Sequence, residues 1–382
     1  MWLFITYLAV VLTALYCLLI MAYTVWFIKL KRFQLPASVI PQTSFSIVIP
    51  ARNEVENIET CITSILKNYY PLHLLEVIVV DDFSDDDTAT IVKQLQEKHG
   101  VNLKLIQLKD HVQSKQNSYK KKSIETAVTY ATKEWIVTTD ADCLVTEKWL
   151  MMLDAFIQNK QPVFVAAPVK FINTGSFISI FQSLDFISLQ GITAASVSAG
   201  FLSMCNGANL AYKKEAFYTV DGFKGVDNIA SGDDMLLMHK IKKQFPGKAS
   251  YLFSKEAIVS TLPMPDLKSF INQRIRWASK TSSYEDKKIF LVLLIVYSVN
   301  LMLLLLPFLS IIYSPLFFVW ILLFALKTIS EIFFMLPVTK FFNEQQLIWW
   351  FPIMQPFHIL YTVVSGWLGK FGSYEWKGRY VK

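Results

Sequence analysis

The chain has 382 residues, of which 53% are hydrophobic and 18% charged, and this share of apolar residues is high for a wholly soluble protein. Its four cysteines form no C-x-x-C pair, so the sequence indicates neither a structural zinc site nor a disulfide framework and fits a reducing compartment. The net charge of +7 comes from basic residues that are spread out or flank apolar runs, which points to anionic lipid headgroups and not to nucleic acid.

The first element is an uncharged apolar run at residues 2–28. It is long enough to cross about 30 Å of hydrocarbon as a helix. Lys29, Lys31 and Arg32 follow this run, whereas a cleaved signal peptide carries its basic residues before the apolar core. We therefore expect a membrane-spanning helix with the next segment on the cytoplasmic side.

Residues 44–288 have the pattern of a soluble α/β domain. Three runs read as buried parallel strands: FSIVIP (45–50), EVIVVDD (76–82) and WIVTTDAD (135–142). Helical patterns lie between and around them, at 56–67, 87–98 and 122–131. This alternation predicts a doubly wound α/β sheet. Each strand run ends in polar residues, at the edge where such sheets bind ligands; the alternative is that these residues only cap the following helices.

From residue 289 the chain is apolar again, and we predict three membrane segments, at 289–312, 316–336 and 347–368. A basic tail follows at 369–382. Four complete spans would leave that tail outside, against the positive-inside tendency. Pro352 and Pro356 allow a broken or re-entrant last segment that returns it to the cytoplasm. Lys327 and Glu331 are spaced i, i+4 in the second run and are expected to pair.

Polar residues suited to a nucleotide follow the first two predicted strands. Arg52 and Glu54 come after the first, and Asp82 after the second. A carboxylate accepts a hydrogen bond from a uracil N–H or a ribose hydroxyl, while the other two can frame the base edge. A calcium loop is a poor alternative for residues 81–88, because the twelve-residue loop with its central Gly and final Glu is missing.

Two further acidic motifs suit metal binding and proton transfer. Asp140 and Asp142 point to the same side if the strand stays extended, and two carboxylates suffice for Mg²⁺ or Mn²⁺ bridged to a diphosphate. Asp233 and Asp234 open an apolar-periodic helix, and one of them could accept the proton of an acceptor hydroxyl. The alternative for this pair is a helix start favoured by the macrodipole.

The segment QRIRW at 273–277 puts Gln273, Arg276 and Trp277 on one helix face shortly before the next apolar run. Arg276 can hold a diphosphate and Trp277 can stack on a sugar. An interfacial helix is the alternative, because Trp and Arg are common at headgroup level.

Taken in order, VIPARNE, VVDDFSDDDT, TTDADC, SGDD and QRIRW resemble the motifs of the family 2 glycosyltransferases. The resemblance implies the GT-A fold, a nucleotide-sugar donor and inversion at the anomeric carbon. By this resemblance Asp82 binds the nucleoside, Asp140 and Asp142 bind the diphosphate and metal, and Asp234 is the general base, although many relatives have Glu-Asp where this chain has Asp233 and Asp234.

The same resemblance assigns Gln273, Arg276 and Trp277 to the Q-x-x-R-W signature and brings Lys122 to the donor phosphates. Lys121 stands where relatives usually have Gly, which is a departure from the pattern. The tail YEWKGRYVK at 374–382 is similar to that of bacterial members that glycosylate lipids or carotenoid-like acceptors.

The expected function is transfer of a sugar from a nucleotide-diphosphosugar, with UDP as carrier, to a lipid hydroxyl at the cytoplasmic membrane face. The expected partners are this donor, a lipid or growing-glycan acceptor and membrane lipids, without nucleic acid. A processive polysaccharide synthase is the alternative within the family. A non-catalytic membrane sensor of nucleotide sugars and a metal-dependent nucleotidyltransferase are alternatives from other classes.

Overall fold

The computed structural model describes residues 1–112, 118–200, 204–229, 231–279, 287–371, 374–376 and 379–381. Its contacts divide the chain into two compact units. The sheet unit comprises Lys31–Ile172 and Leu202–Leu262, and the helical unit comprises Met1–Leu30, Asn173–Phe201 and Pro263–Lys382. Residues 173–200, 263–279 and 287–288, which the sequence pattern assigns to the 44–288 domain, thus group with the apolar helices. The functional boundary of that domain stays a prediction.

The helices are α1 (Trp2–Lys29), α2 (Ile58–Leu66), α3 (Thr88–His99), α4 (Tyr119–Tyr130), α5 (Trp149–Lys160), α6 (Phe177–Ser198), α7 (Lys214–Thr219), α8 (Asp233–Gln244), α9 (Leu267–Ala278), α10 (Lys287–Ile312), α11 (Pro315–Phe342) and α12 (Phe351–Phe371). The strands are β1 (Phe45–Ala51), β2 (Leu75–Asp81), β3 (Leu103–Gln107), β4 (Trp135–Thr138), β5 (Phe164–Ala166), β6 (Val169–Phe171), β7 (Leu210–Lys213), β8 (Ala249–Tyr251), β9 (Val259–Thr261), β10 (Tyr374–Trp376) and β11 (Arg379–Val381).

The described part of the sheet unit contains a seven-stranded sheet in the order β3-β2-β1-β4-β7-β5-β8. The α/β class is as predicted, and β1, β2, β3 and β4 are parallel. Strand β7, which was not predicted from the sequence, runs antiparallel to both β4 and β5. Between Ile172 and Leu202 the chain belongs to the helical unit, so no local strand-helix-strand connection leads into β7.

The central strands are buried along nearly their whole length. Six of the seven residues of β1 and all seven of β2 are buried, as expected for strands covered on both faces. Because β2, β1 and β4 are neighbours and parallel, their carboxyl ends meet at one edge of the sheet. Residues 52–54, 82–88 and 139–142 follow those ends and therefore come together there.

The helical unit contains α1, α6 and α9–α12. Five helical segments in the described residues are long and apolar enough to cross a membrane: Trp2–Lys29, Phe177–Ser198, Ile289–Ile312, Pro315–Phe342 and Gln345–Lys370. Four of them coincide with predicted spans, and α6 is additional. Helix α11 continues past the predicted end at 336 through Pro337 to Phe342, so this proline does not end the helix. A 3-10 turn, Gln345–Trp350, precedes α12.

The predicted pair in α11 is present and belongs to a buried polar network. Lys327 Nζ lies 2.8 Å from Glu331 Oε1 and donates to Gln355 Oε1 of α12 at 2.7 Å. Gln355 Nε2 donates to Glu331 Oε2 at 2.5 Å, and the Tyr16 hydroxyl of α1 donates to Glu331 Oε1. One ion pair therefore joins three helices of this unit.

Candidate active site

The loops after β1 and β2 are tied to each other by hydrogen bonds. Arg52 Nη1 donates to the carbonyl oxygens of Asp82 and Phe83 at 2.8 and 2.7 Å. Asp82 N–H donates to Ala51 O at 2.7 Å, and Glu54 N–H donates to Thr88 Oγ1 at 2.8 Å. The structure thus brings Arg52, Glu54 and Asp82 together, as predicted, and uses the guanidinium of Arg52 to brace the second loop.

The carboxylates of Asp140 and Asp142 lie directly after β4. Their oxygens and the sulfur of Cys143 are within 4.8 Å of one another, and Thr261 Oγ1 donates to Asp142 Oδ2 at 3.0 Å. Burial and the adjacent Asp142 raise the pKa of the Cys143 thiol, and sulfur is a poor ligand for hard cations such as Mg²⁺. The remaining donors are carboxylate oxygens, which fit Mg²⁺ or Mn²⁺.

Lys120 connects two of the acidic motifs. Its Nζ lies 2.6 Å from Asp140 Oδ1 and 3.4 Å from Asp233 Oδ2. Burial opposes its charge, but the carboxylates of Asp140 and Asp233 outweigh burial and raise the pKa of Lys120. A permanent ammonium therefore lies between the carboxylate after β4 and the start of α8.

From the sequence, Lys122 is expected at the donor phosphates, and Lys120 has no assigned role. Lys122 Nζ instead lies 3.6 Å from Glu125 Oε2 on the same helix. Helix α4 begins at Tyr119 and not at residue 122, so all three lysines of the run are helical. Two residues place Lys122 about 200° around the helix from Lys120, so they face different surroundings. The run of three lysines was the available signal, but it does not say which one faces the sheet edge.

The middle lysine of the run has a third environment. Lys121 is 2% exposed, and its Nζ donates to the carbonyl oxygens of Val226 and Ile229 at 2.6 and 2.7 Å. These carbonyls belong to the loop between α7 and α8. The side chain at this departure from the family pattern therefore fixes the loop that leads to Asp233.

Asp233 and Asp234 begin α8 after Gly232, whose φ is +82°. Asp234 Oδ2 accepts from Gly207 N–H at 3.2 Å, and Thr138 Oγ1 donates to Gly207 O at 2.7 Å. A Cβ on Gly207 would lie 3.0 Å from Asp233 Oδ2, so a residue without a side chain suits this close approach. The end of β4 and the start of α8 are joined through Gly207 as well as through Lys120.

The Q-x-x-R-W residues Gln273, Arg276 and Trp277 lie on α9 in the helical unit. The Trp277 indole packs against Phe186 of α6, with ring centroids 5.9 Å apart. Arg274, inside the same motif, is 4% exposed. Sequence reasoning gave Arg274 no role.

A mixed α/β sheet that gathers carboxylates after β2 and β4 is an arrangement typical of the GT-A nucleotide-sugar transferase fold. The chain matches the family model described as "Glycosyl transferase family 2" over residues 46–220 and the model described as "Glycosyl transferase family group 2" over residues 135–367. The second match covers more than half of the chain. The chain therefore belongs to the family 2 glycosyl transferases, as the motifs predict.

Two curated relatives and one solved structure illustrate the similarity. The poly-beta-1,6-N-acetyl-D-glucosamine synthase of Staphylococcus epidermidis is 25% identical over 235 residues, 61% of this chain and 53% of the relative. Glycosyltransferase AglE of Haloferax volcanii is 31% identical over 105 residues, 28% of this chain and 32% of the relative. The chain thus spans about half the length of the synthase and about a third of the length of AglE.

The solved structure is the mannosyltransferase PcManGT from Pyrobaculum calidifontis in complex with GDP-Man and Mn²⁺. It is similar with a TM-score of 0.58 and 18% identity, over 93% of this chain and 99% of that one. At this identity the similarity establishes the shared GT-A fold.

Proposed function

We propose that this chain is an inverting, metal-dependent glycosyltransferase that moves a sugar from a nucleotide-diphosphosugar to a hydroxyl of a membrane lipid. The observation that carries the proposal is the bridge from Asp140 through Lys120 to Asp233, with distances of 2.6 and 3.4 Å. It gathers acidic ligands and a fixed positive charge at the edge of the sheet where such folds bind nucleotides.

Asp140 and Asp142 would hold the Mg²⁺ or Mn²⁺ ion, and Thr261 orients the second carboxylate. When bound, the ion supplies positive charge for the departing diphosphate. Lys120 adds a charge that does not depend on metal. Because its ammonium is already held by two carboxylates, little reorientation is needed when donor binds.

The nucleoside is expected against the paired loops after β1 and β2. Asp82 would accept a hydrogen bond from the base or ribose, and Arg52 keeps that loop in place through the carbonyl oxygens of Asp82 and Phe83. The preference for a UDP-sugar rests on the family resemblance. Gln273, Arg276 and Trp277 would complete the binding of diphosphate and sugar.

The chemical step is a single displacement. The acceptor oxygen forms a bond to the anomeric carbon while the bond from that carbon to the phosphate oxygen breaks. The hydroxyl proton passes to Asp234, whose Oδ2 is oriented by Gly207 N–H, and the nucleoside diphosphate leaves. Attack opposite the leaving group inverts the configuration.

A lipid acceptor is favoured by the apolar helices that make up most of the helical unit. The catalytic unit is expected on the cytoplasmic side, because basic residues follow α1. A processive polysaccharide synthase is the second candidate, favoured by the similarity to a poly-beta-1,6-N-acetyl-D-glucosamine synthase.

The test uses the full chain in nanodiscs with Mn²⁺ or Mg²⁺, UDP- or GDP-sugars and bacterial lipid extract. Nucleoside diphosphate release and product mass are measured together. A single glycolipid that disappears in Asp142→Asn and Asp234→Asn supports the proposal, with exposed Glu97→Gln of α3 as the matched control. A ladder of polymer would instead support the processive polysaccharide synthase and contradict the lipid acceptor. Donor binding without transfer or hydrolysis would favour a sensor.

A further inference from the structure

Arg274 lies between the Q-x-x-R-W residues but faces away from solvent. Its Nη2 is 2.7 Å from Asp185 Oδ2 on α6, and the two side chains are 3% and 2% exposed. Both residues belong to the helical unit. The signature helix α9 is therefore attached to a candidate membrane helix by a buried ion pair.

The carboxylate of Asp185 also joins a third helix. The Tyr361 hydroxyl of α12 donates to Asp185 Oδ1, and His358 Nε2 of the same helix lies 3.9 Å from this oxygen. Ionisable groups buried in an apolar helical unit are costly and commonly functional. Here the carboxylate is the point at which α6, α9 and α12 meet.

The guanidinium of Arg274 in turn contacts the aromatic residues one turn before and after it on α9. It lies 4.8 Å from the Phe270 ring centroid and 4.2 Å from that of Trp277. A planar cation over an indole ring is a directional interaction. Trp277 also packs against Phe186 of α6, so side chains from both α9 and α6 bear on its orientation.

A second attachment fixes the start of α9. Gln182, one turn before Asp185 on α6, donates through Nε2 to Met264 O and accepts from Met264 N–H, both at 2.9 Å. This attachment holds the backbone ahead of the helix without the ion pair. Loss of the ion pair is therefore expected to change side-chain orientation on α9 before it releases the helix.

We propose that Asp185 and Arg274 are a positioning pair that sets the orientation of Trp277 in the Q-x-x-R-W motif. A buried ion pair adds little net stability compared with well-packed apolar residues, whereas a guanidinium held by a carboxylate presents a fixed plane to the indole. The inference rests on the proposed role of Trp277 at the sugar. Trp277 would be the residue that meets substrate, and Asp185 would act through Arg274.

The experiment compares Asp185→Asn, Arg274→Lys and the double variant Asp185→Asn/Arg274→Gln in the full chain in nanodiscs. The single Asn variant leaves a buried cation and should lower the melting temperature. The double variant should recover most of the lost melting temperature. Its KM for substrate should nevertheless stay raised at least about 10-fold, with a smaller change in kcat. Arg274→Lys should keep the ion pair and show the same KM defect.

A second readout does not depend on turnover. With 5-fluorotryptophan incorporated, the ¹⁹F resonance of Trp277 is assigned by its loss in Trp277→Phe. We expect it to shift or broaden in Arg274→Lys and in the double variant, and to stay unchanged in exposed Lys268→Met on the same helix. An unchanged resonance in the double variant overturns the positioning role. A changed resonance in a chain without transfer activity would leave the pair valid and remove the proposed function.

Discussion

Lys120 Nζ lies 2.6 Å from Asp140 Oδ1, and this contact links helix α4 to the carboxylate that follows β4. Because Asp233 Oδ2 is 3.4 Å from the same ammonium, one cation neutralises parts of two acidic motifs. In the proposed transferase it would also supply a fixed positive charge for a diphosphate. We therefore expect Lys120 to order the free site and to contribute to donor binding.

Replacing Lys120 should weaken catalysis through the donor. We expect Lys120→Met to lower kcat/KM by about 10- to 100-fold, equivalent to about 1.4 to 2.8 kcal/mol. The loss should appear mainly as a raised donor KM in initial-rate measurements. Lys122→Met tests the other assignment and should cause a much smaller loss, and exposed Lys93→Met of α3 is the control. A larger loss of kcat/KM in Lys122→Met than in Lys120→Met would instead indicate that Lys122 binds the donor phosphates.

Replacing Lys121 should affect the proton acceptor more than the donor. Lys121→Met removes the ammonium that donates hydrogen bonds to the carbonyl oxygens of Val226 and Ile229, and this loss should cost about 1 to 3 kcal/mol of stability. Since this loop leads to Asp233, we expect kcat to fall while the donor KM changes little. Exposed Lys224→Met in the same loop should be silent. A raised donor KM with unchanged kcat would contradict this separation from Lys120.

The sequence was sufficient for the parts of the fold that depend on local pattern. The apolar runs of β1, β2 and β4 predict a buried sheet, and the acidic residues after them predict Asp82, Asp140 and Asp142 at one edge. The lysine facing that edge depends on where α4 begins, which a run of three lysines does not reveal.

Other features were beyond the sequence because they depend on distant segments. The pairing of β7 with β4 and β5 joins residues far apart in sequence, and the partner of Arg274 lies on α6, also far away in sequence. Neither feature has a local periodicity. The same holds for Tyr16 and Gln355, which contact the pair of Lys327 and Glu331. The i, i+4 spacing predicts the pair but not these two partners.

The thiol of Cys143 should be dispensable for metal activation. It lies next to the carboxylates of Asp140 and Asp142, but Mg²⁺ and Mn²⁺ prefer oxygen ligands to sulfur. We expect Cys143→Ser to keep the Mn²⁺ concentration for half activation within about 3-fold, while Asp142→Asn, which removes a ligand, should raise it 10-fold or more. Titration of activity with Mn²⁺ at pH 7 and pH 9 measures both. A large change in Cys143→Ser would make sulfur a ligand.

The network around Glu331 should contribute to stability and not to chemistry. Glu331→Gln leaves the Lys327 ammonium, which is 0% exposed, without its anion, and removing one member of a buried pair costs about 3 to 5 kcal/mol. We expect a clearly lowered melting temperature in nanodiscs. The double variant Lys327→Met/Glu331→Gln removes both charges and should recover most of it, with kcat and KM near wild type. If the double variant melted normally but lost transfer, the ion pair would instead take part in acceptor binding or release within the membrane, because packing alone would then be insufficient for function.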